Sequence, residues 1–227
     1  MAIIEPVRTD IEHPHQIKKN SASLRLWHWA SMIAISGSLI TVLINATITD
    51  EHKTPSFFKD ELQKSGASIS DDQARSVAGA LSDRVWSVHI YFGYCLAGLL
   101  LFRLVLEFFQ LADQKFIRKI KSAYIQFNTI KKNRQLATHE LTVKIIYALF
   151  YVLLTIMVLT GLSLAFESIA FLKPFRHTIK RIHNLGMYFV LAFIIVHLAG
   201  VFLAEFRKDG KGIVSAMING GGEEVAS

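Results

Sequence analysis

Four apolar runs dominate this 227-residue chain, each about as long as the roughly 20 residues a helix needs to cross the hydrocarbon core of a bilayer. They lie at about 24–46 (LRLWHWASMIAISGSLITVLINA), 86–109 (WSVHIYFGYCLAGLLLFRLVLEFF), 143–166 (VKIIYALFYVLLTIMVLTGLSLAF) and 183–206 (HNLGMYFVLAFIIVHLAGVFLAEF). In lipid every backbone N–H and C=O must be satisfied within the segment, so runs of this length and composition are predicted to be transmembrane helices. The fold class that follows is an all-α membrane protein, a four-transmembrane-helix bundle. A composition of 52% hydrophobic and 19% charged residues lies outside the range of soluble domains and agrees. Residues 1–23 are polar with no apolar centre, and no small-residue cleavage site follows the first run. That run is therefore expected to stay in the membrane and not to be removed as a signal.

The excess of cations, a formal net charge of +7, reads as orientation and not as nucleic-acid binding. The first segment carries Arg8, Lys18 and Lys19, with Arg25 just inside the first run. Loop 110–142 carries Lys115, Arg118, Lys119, Lys121, Lys131, Lys132 and Arg134, and the tail 207–227 carries Arg207, Lys208 and Lys211. In a four-span chain these three segments share one side, which the positive-inside rule makes the cytoplasmic one. Both termini are predicted cytoplasmic. On the other side, loop 47–85 dilutes its cations with acids, and the short second loop holds Lys173, Arg176, Lys180 and Arg181. Loop 47–85 reads as a surface loop with one short helix, capped at Ser70-Asp71-Asp72 before QARSVAGAL. The glycine-rich tail reads as mobile.

Chemistry falls to histidine. The lone cysteine, Cys95, excludes an internal disulfide, a Cys-based zinc site, an iron–sulfur cluster and a thioether-linked haem. Four histidines lie in or at the edge of the runs: His28, His89, His183 and His197. An ionisable ring at membrane depth is costly and reads by default as functional, although a single such ring is as readily a hydrogen-bonded helix contact. Depth separates these readings. His28 and His197 lie toward the inner side, His89 and His183 toward the outer, so each histidine of the fourth run matches one from another run. His183 and His197 are 14 positions apart, which at about 100° and 1.5 Å per residue puts them on nearly one face with a rise of about 21 Å.

Two bis-histidine haems stacked across the bilayer suit that geometry, since imidazole binds iron well and facing helices clamp a porphyrin. A zinc or copper site needs its ligands to converge within a few ångströms. A proton relay would place Asp or Glu between the histidines, and no run has one at its middle. Gly93, Gly186 and Gly200 follow the histidines on the same helix faces, where a missing side chain admits either a macrocycle or a neighbouring helix. Arg25 and Arg103 at the inner edge, with Arg176, His177 and Arg181 at the outer, are candidates for haem propionates or for interfacial anchoring.

The run RLWHW at 25–29, His89 with LLLFR at the end of its run, the block HNLGMYFVLAFIIVHLAGVFLAEFRKDG and the closing IVSAMING together resemble the b-type cytochrome subunit of membrane-bound nickel–iron hydrogenases, within the bacterial cytochrome b561 family. The resemblance covers 24–220. It implies two b haems, the inner ligated by His28 and His197 and the outer by His89 and His183. It also implies electrons entering from a periplasmic partner and leaving to a quinone, with lipid around the helices and a homo-oligomer left open. Where the family often has His-Asn-Pro leading into the third helix, this chain has His139-Glu140-Leu141, which keeps the histidine and loses the proline. Two alternatives stand beside this: a free-standing quinone oxidoreductase fed by a small anion such as superoxide, and a helical scaffold whose histidines only join helices.

Overall fold

The computed structural model describes residues 22–50, 52–109, 124–125, 134–166, 169–206 and 213–220. Its elements are α1 (Ala22–Thr47), α2 (Thr54–Lys64), α3 (Asp71–Phe109), α4 (Arg134–Ala165), a 3₁₀ helix (Ala170–Phe175) that runs into α5 (Arg176–Glu205), and α6 (Ile213–Asn219). Four stretches are long and apolar enough to cross a membrane: Ala22–Thr47, Asp71–Glu107, Lys144–Ala165 and Ala170–Glu205. The chain is an all-helical, multi-pass membrane protein. Large apolar side chains point outward along these helices, Ile195 at 67% exposure and Leu203 at 65% among them. A soluble protein rarely leaves so much contiguous apolar surface to water, and here lipid covers it.

Three of the four helices begin well before the apolar run that marks them. Apolarity reports which residues sit in hydrocarbon, whereas the helical hydrogen-bond ladder continues until something caps it. At α3 the stop is a capping box. Ser70 Oγ accepts the Gln73 N–H at 3.2 Å and Gln73 Oε1 accepts the Ser70 N–H at 2.9 Å, satisfying two orphan donors reciprocally. QARSVAGAL therefore opens α3 and is not a separate helix in a loop.

The region expected as loop also contains α2, which carries Pro55 in its first turn, where the missing N–H is no loss. It closes in a Schellman turn: Gly66 adopts φ +78°, its N–H reaches Gln63 O at 3.0 Å and that of Ala67 reaches Leu62 O at 2.9 Å. Just before α2, Asp50 accepts the backbone N–H groups of His52 and Lys53. The first of these contacts, with the second behind it, holds the Asp50 carboxyl below the usual carboxylate range.

The expected tail also has structure, since α6 ends at Gly220, which takes φ +102°. The rest of the tail, like the cations of residues 1–21, 110–123 and 126–133, lies outside the described residues.

The described chain forms two compact units. In the unit Ala30–Gly98, Ala74 and Ala78 are almost fully buried, and Asn45 Oδ1 accepts hydroxyls from Thr49 and Ser82. The Phe92 ring occupies the space that a Cβ on Gly37 would need.

The second unit holds the residues through Trp29 and those from Leu99 onward. Trp27 is buried, donates to Leu99 O at 2.9 Å and stacks on Tyr151 with ring centres 5.5 Å apart. Arg103, also buried, donates from Nε to Tyr151 Oη at 3.1 Å. Its Nη1 lies 3.2 Å from Glu107 Oε2, an ion pair without hydrogen-bond alignment. Removing one member of a buried pair strands the other charge. Arg103→Met is therefore expected to cost about 3 kcal/mol, the low end for such a break. Thermal unfolding in detergent reads this out, and adding Glu107→Leu should restore most of the loss.

Candidate functional site

The five residues Arg25 to Trp29 divide among different neighbours because successive helical positions turn by about 100°. Arg25 and Trp29, one turn apart, both hold the backbone of α6: Arg25 Nη1 donates to Ile218 O and Trp29 Nε1 to Met217 O, each at 2.9 Å. Trp27 turns to Tyr151. His28 turns to α5, where its ring centre lies 6.2 Å from that of His197 with the planes at 58°. Aromatic rings frame the two imidazoles: Trp29 meets His28 edge-on at 5.6 Å, and Phe193 stacks on His197 at 5.7 Å and 11°. Phe150 of α4 in turn stacks on Phe193 at 4.2 Å.

His89 lies in the unit Ala30–Gly98. Its Nδ1 stands 3.0 Å from Thr41 Oγ1 and 3.2 Å from the Ser38 carbonyl oxygen, and Trp86 packs edge-on against its ring at 5.3 Å. Thr41 donates its own hydroxyl proton to Ser38 O at 2.6 Å. Ser38 Oγ stands 3.3 Å from the same nitrogen, so a carbonyl and two hydroxyls of α1 gather at His89 Nδ1.

His183, in the other unit, repeats the device. Its Nδ1 is 2.9 Å from Thr160 Oγ1, and Thr160 donates to Ile156 O at 2.6 Å. Gly161, the next residue, leaves room for the ring, since a Cβ there would come within 3.2 Å of His183 Cε1.

Of the four arginines that sequence singles out, Arg25 keeps a buried Nε with no acceptor among the described residues. Arg103 is held by Tyr151 and Glu107. Arg176 and Arg181 are exposed at the start of α5, as are Lys173, His177 and Lys180 nearby. The glycines separate into two kinds. A Cβ on Gly186 would collide with the Met157 thioether, which makes this glycine a helix-packing position, whereas Cβ atoms on Gly93 and Gly200 would meet no protein atom. His139 sits on α4, but its side chain is outside the described residues. Among the described residues no three His, Cys, Asp or Glu converge, as a zinc or copper site held by protein alone would require.

Sequence reasoning missed Thr41 and Thr160. Both had a signal, a hydroxyl residue beside or near glycine inside an apolar run (SGSLIT and VLTGLSL). It also missed α6, whose seven residues are too few to show a period.

Long apolar helices that bring imidazoles together inside the span define a membrane b-type cytochrome. The chain belongs to the prokaryotic cytochrome b561 family, whose model matches residues 20–220; the family binds b haem and works in electron transfer. No curated protein and no solved structure matches the chain.

The close approach of Gly37 to Phe92 has a measurable consequence. Gly37→Ala forces the ring aside and is expected to cost about 1–3 kcal/mol, as overpacking does. Gly79→Ala on α3, where a Cβ meets nothing, should leave the unfolding temperature unchanged or slightly raised.

Proposed function

We propose that this chain carries two b haems and passes electrons across a bacterial inner membrane, from a periplasmic oxidoreductase to the quinone pool. The inner haem takes His28 and His197 as axial ligands, and the outer takes His89 and His183. The observation that carries the reading is the approach of His28 on α1 to His197 on α5, with ring centres 6.2 Å apart: two helices of one unit present imidazoles to each other at the same level.

For the outer pair the support is the contact of each Nδ1 with helix oxygens. The scaffold reading takes these contacts as an end in themselves, but a histidine that ligates metal characteristically has its second ring nitrogen bonded to an oxygen in this way. Each haem, when bound, would supply a one-electron iron centre, and the paired histidines would be the residues that hold it. The residues do the rest. His183 and His197 set their levels about 21 Å apart along α5. Leu, Ile, Val and Phe of the helices keep water from the path. Arg25, through its buried Nε, serves an inner propionate, and Arg176 and Arg181 serve outer ones. Arg103, held by Glu107 and Tyr151, fixes the end of α3 against α4.

The donor is read as a periplasmic nickel–iron hydrogenase, on the likeness of RLWHW and the HNLGMYF…FRKDG block to the hydrogenase cytochrome subunit. The exposed cations from Lys173 to Arg181 suit an acidic docking face. They also suit a small anionic donor such as superoxide, which is the second reading. A hydrogenase encoded beside this chain, or purifying with it, selects the first; its absence on both counts selects the second.

Purified protein is expected to contain two haems per chain by the pyridine haemochromogen assay, and His197→Ala should lose the inner one and keep the outer. One haem in the parent, or two in the variant, would overturn the ligand assignment. Cytoplasmic termini are expected to leave alkaline phosphatase inactive when fused after residue 220 and active when fused within the loop before α3.

A further inference from the structure

We propose that α6 is a clasp for the inner haem site: it joins the start of α1 to the end of α5, and through Arg25, Trp29 and Glu205 it aligns the two helices that carry His28 and His197. The inference rests on the dihaem reading above. Every residue it uses belongs to one compact unit.

Little in α6 itself favours a helix. Its seven residues, Ile213–Asn219, fall well short of the roughly 12–15 at which an isolated helix becomes even marginal, and Ile213, Val214 and Ile218 are β-branched. Burial adds little, since the side chains of Val214 and Ile218 are 41% and 64% exposed. Its ends are held by other helices instead. In the first turn the Val214 N–H donates to Glu205 Oε2 of α5 at 3.4 Å. In the last, Met217 O and Ile218 O accept from Trp29 Nε1 and Arg25 Nη1 of α1, each at 2.9 Å. These are the backbone groups that a helix leaves unsatisfied at its termini, so α6 is complete only with α1 at one end and α5 at the other.

The residues that hold α6 also border the inner histidines. Trp29 follows His28 in sequence and meets its ring edge-on at 5.6 Å, so one indole is pinned by α6 and in turn flanks the imidazole. Arg25 spends Nη1 on Ile218 O and keeps a buried Nε without an acceptor among the described residues, which the reading above gives to an inner propionate. Glu205 lies about 12 Å beyond His197 along α5. Apolar side chains in a bilayer gain little by exchanging lipid tails for one another, so directed bonds at the helix ends carry much of the alignment of the two rings. His183 lies about 33 Å before Glu205 on the same helix, which confines the effect to the inner haem. Trp29 and Glu205 are thus positioning residues that act on the haem through α6 and the histidines.

The test counts haems and reads the ferric spin state in the full-length protein in detergent, with His197→Ala marking which component is the inner one. Glu205→Leu removes the acceptor at one end of α6, and Trp29→Phe removes the donor at the other while keeping a ring beside His28. The double variant is expected to lower the haem content from two per chain toward one and to show a high-spin ferric signal absent from the parent, as an axial histidine leaves the inner iron. The outer component should stay as it was, and each single variant should show a smaller effect. Glu205→Gln keeps an oxygen for the Val214 N–H and should match the parent. A chain stopped at Gly212 lacks α6 and should behave as the double variant does; if it does not assemble, the point variants, which keep the whole chain, carry the decision. An inner component unchanged in the double variant overturns the proposal, and so does loss of both haems in equal measure, which would assign α6 to general stability. Failure of the dihaem reading looks different, because the parent itself would hold fewer than two haems before any anchor of α6 is changed.

Discussion

An imidazole placed in hydrocarbon must have something to do with both of its nitrogens, and much of this structure answers that demand. A polar ring without partners at membrane depth costs several kcal/mol. For His89 and His183 one nitrogen is settled by the protein, through Ser38 and Thr41 in one unit and Thr160 in the other. These contacts hold the direction of each ring. Gly161 leaves room for the His183 ring, as Gly37 does for that of Phe92.

The inner pair is organised by aromatic surfaces instead of hydroxyls. His197 lies flat on Phe193, which lies flat on Phe150, and His28 meets Trp29 edge-on. Stacking fixes the plane of a ring without biasing its basicity as a hydrogen bond does. The same end of the unit carries the Arg103–Glu107 pair and the grip of Arg25 and Trp29 on α6. Charged and indole N–H groups of this kind are tolerated where a helix nears the headgroups, and here they also tie α3, α4 and α6 together around His28.

How much of this the sequence discloses depends on the range of the interaction. The four spans were legible because hydrocarbon selects composition over some 20 residues at a time. The four histidines were legible because polarity in such a run is conspicuous. Helix ends were not: the box at Ser70 reads as the cap of a short loop helix, because the charges at Asp71, Asp72, Arg75, Asp83 and Arg84 set 71–85 apart from the run that starts at 86. Thr41 and Thr160 were passed over for a related reason. A threonine that returns its proton to its own helix is ordinary in a membrane span, and only the position of a histidine on another helix gives it meaning. Arg103 looked like an anchor or a propionate partner, and its commitment to Tyr151 and Glu107 needed the fold to bring α4 beside the end of α3.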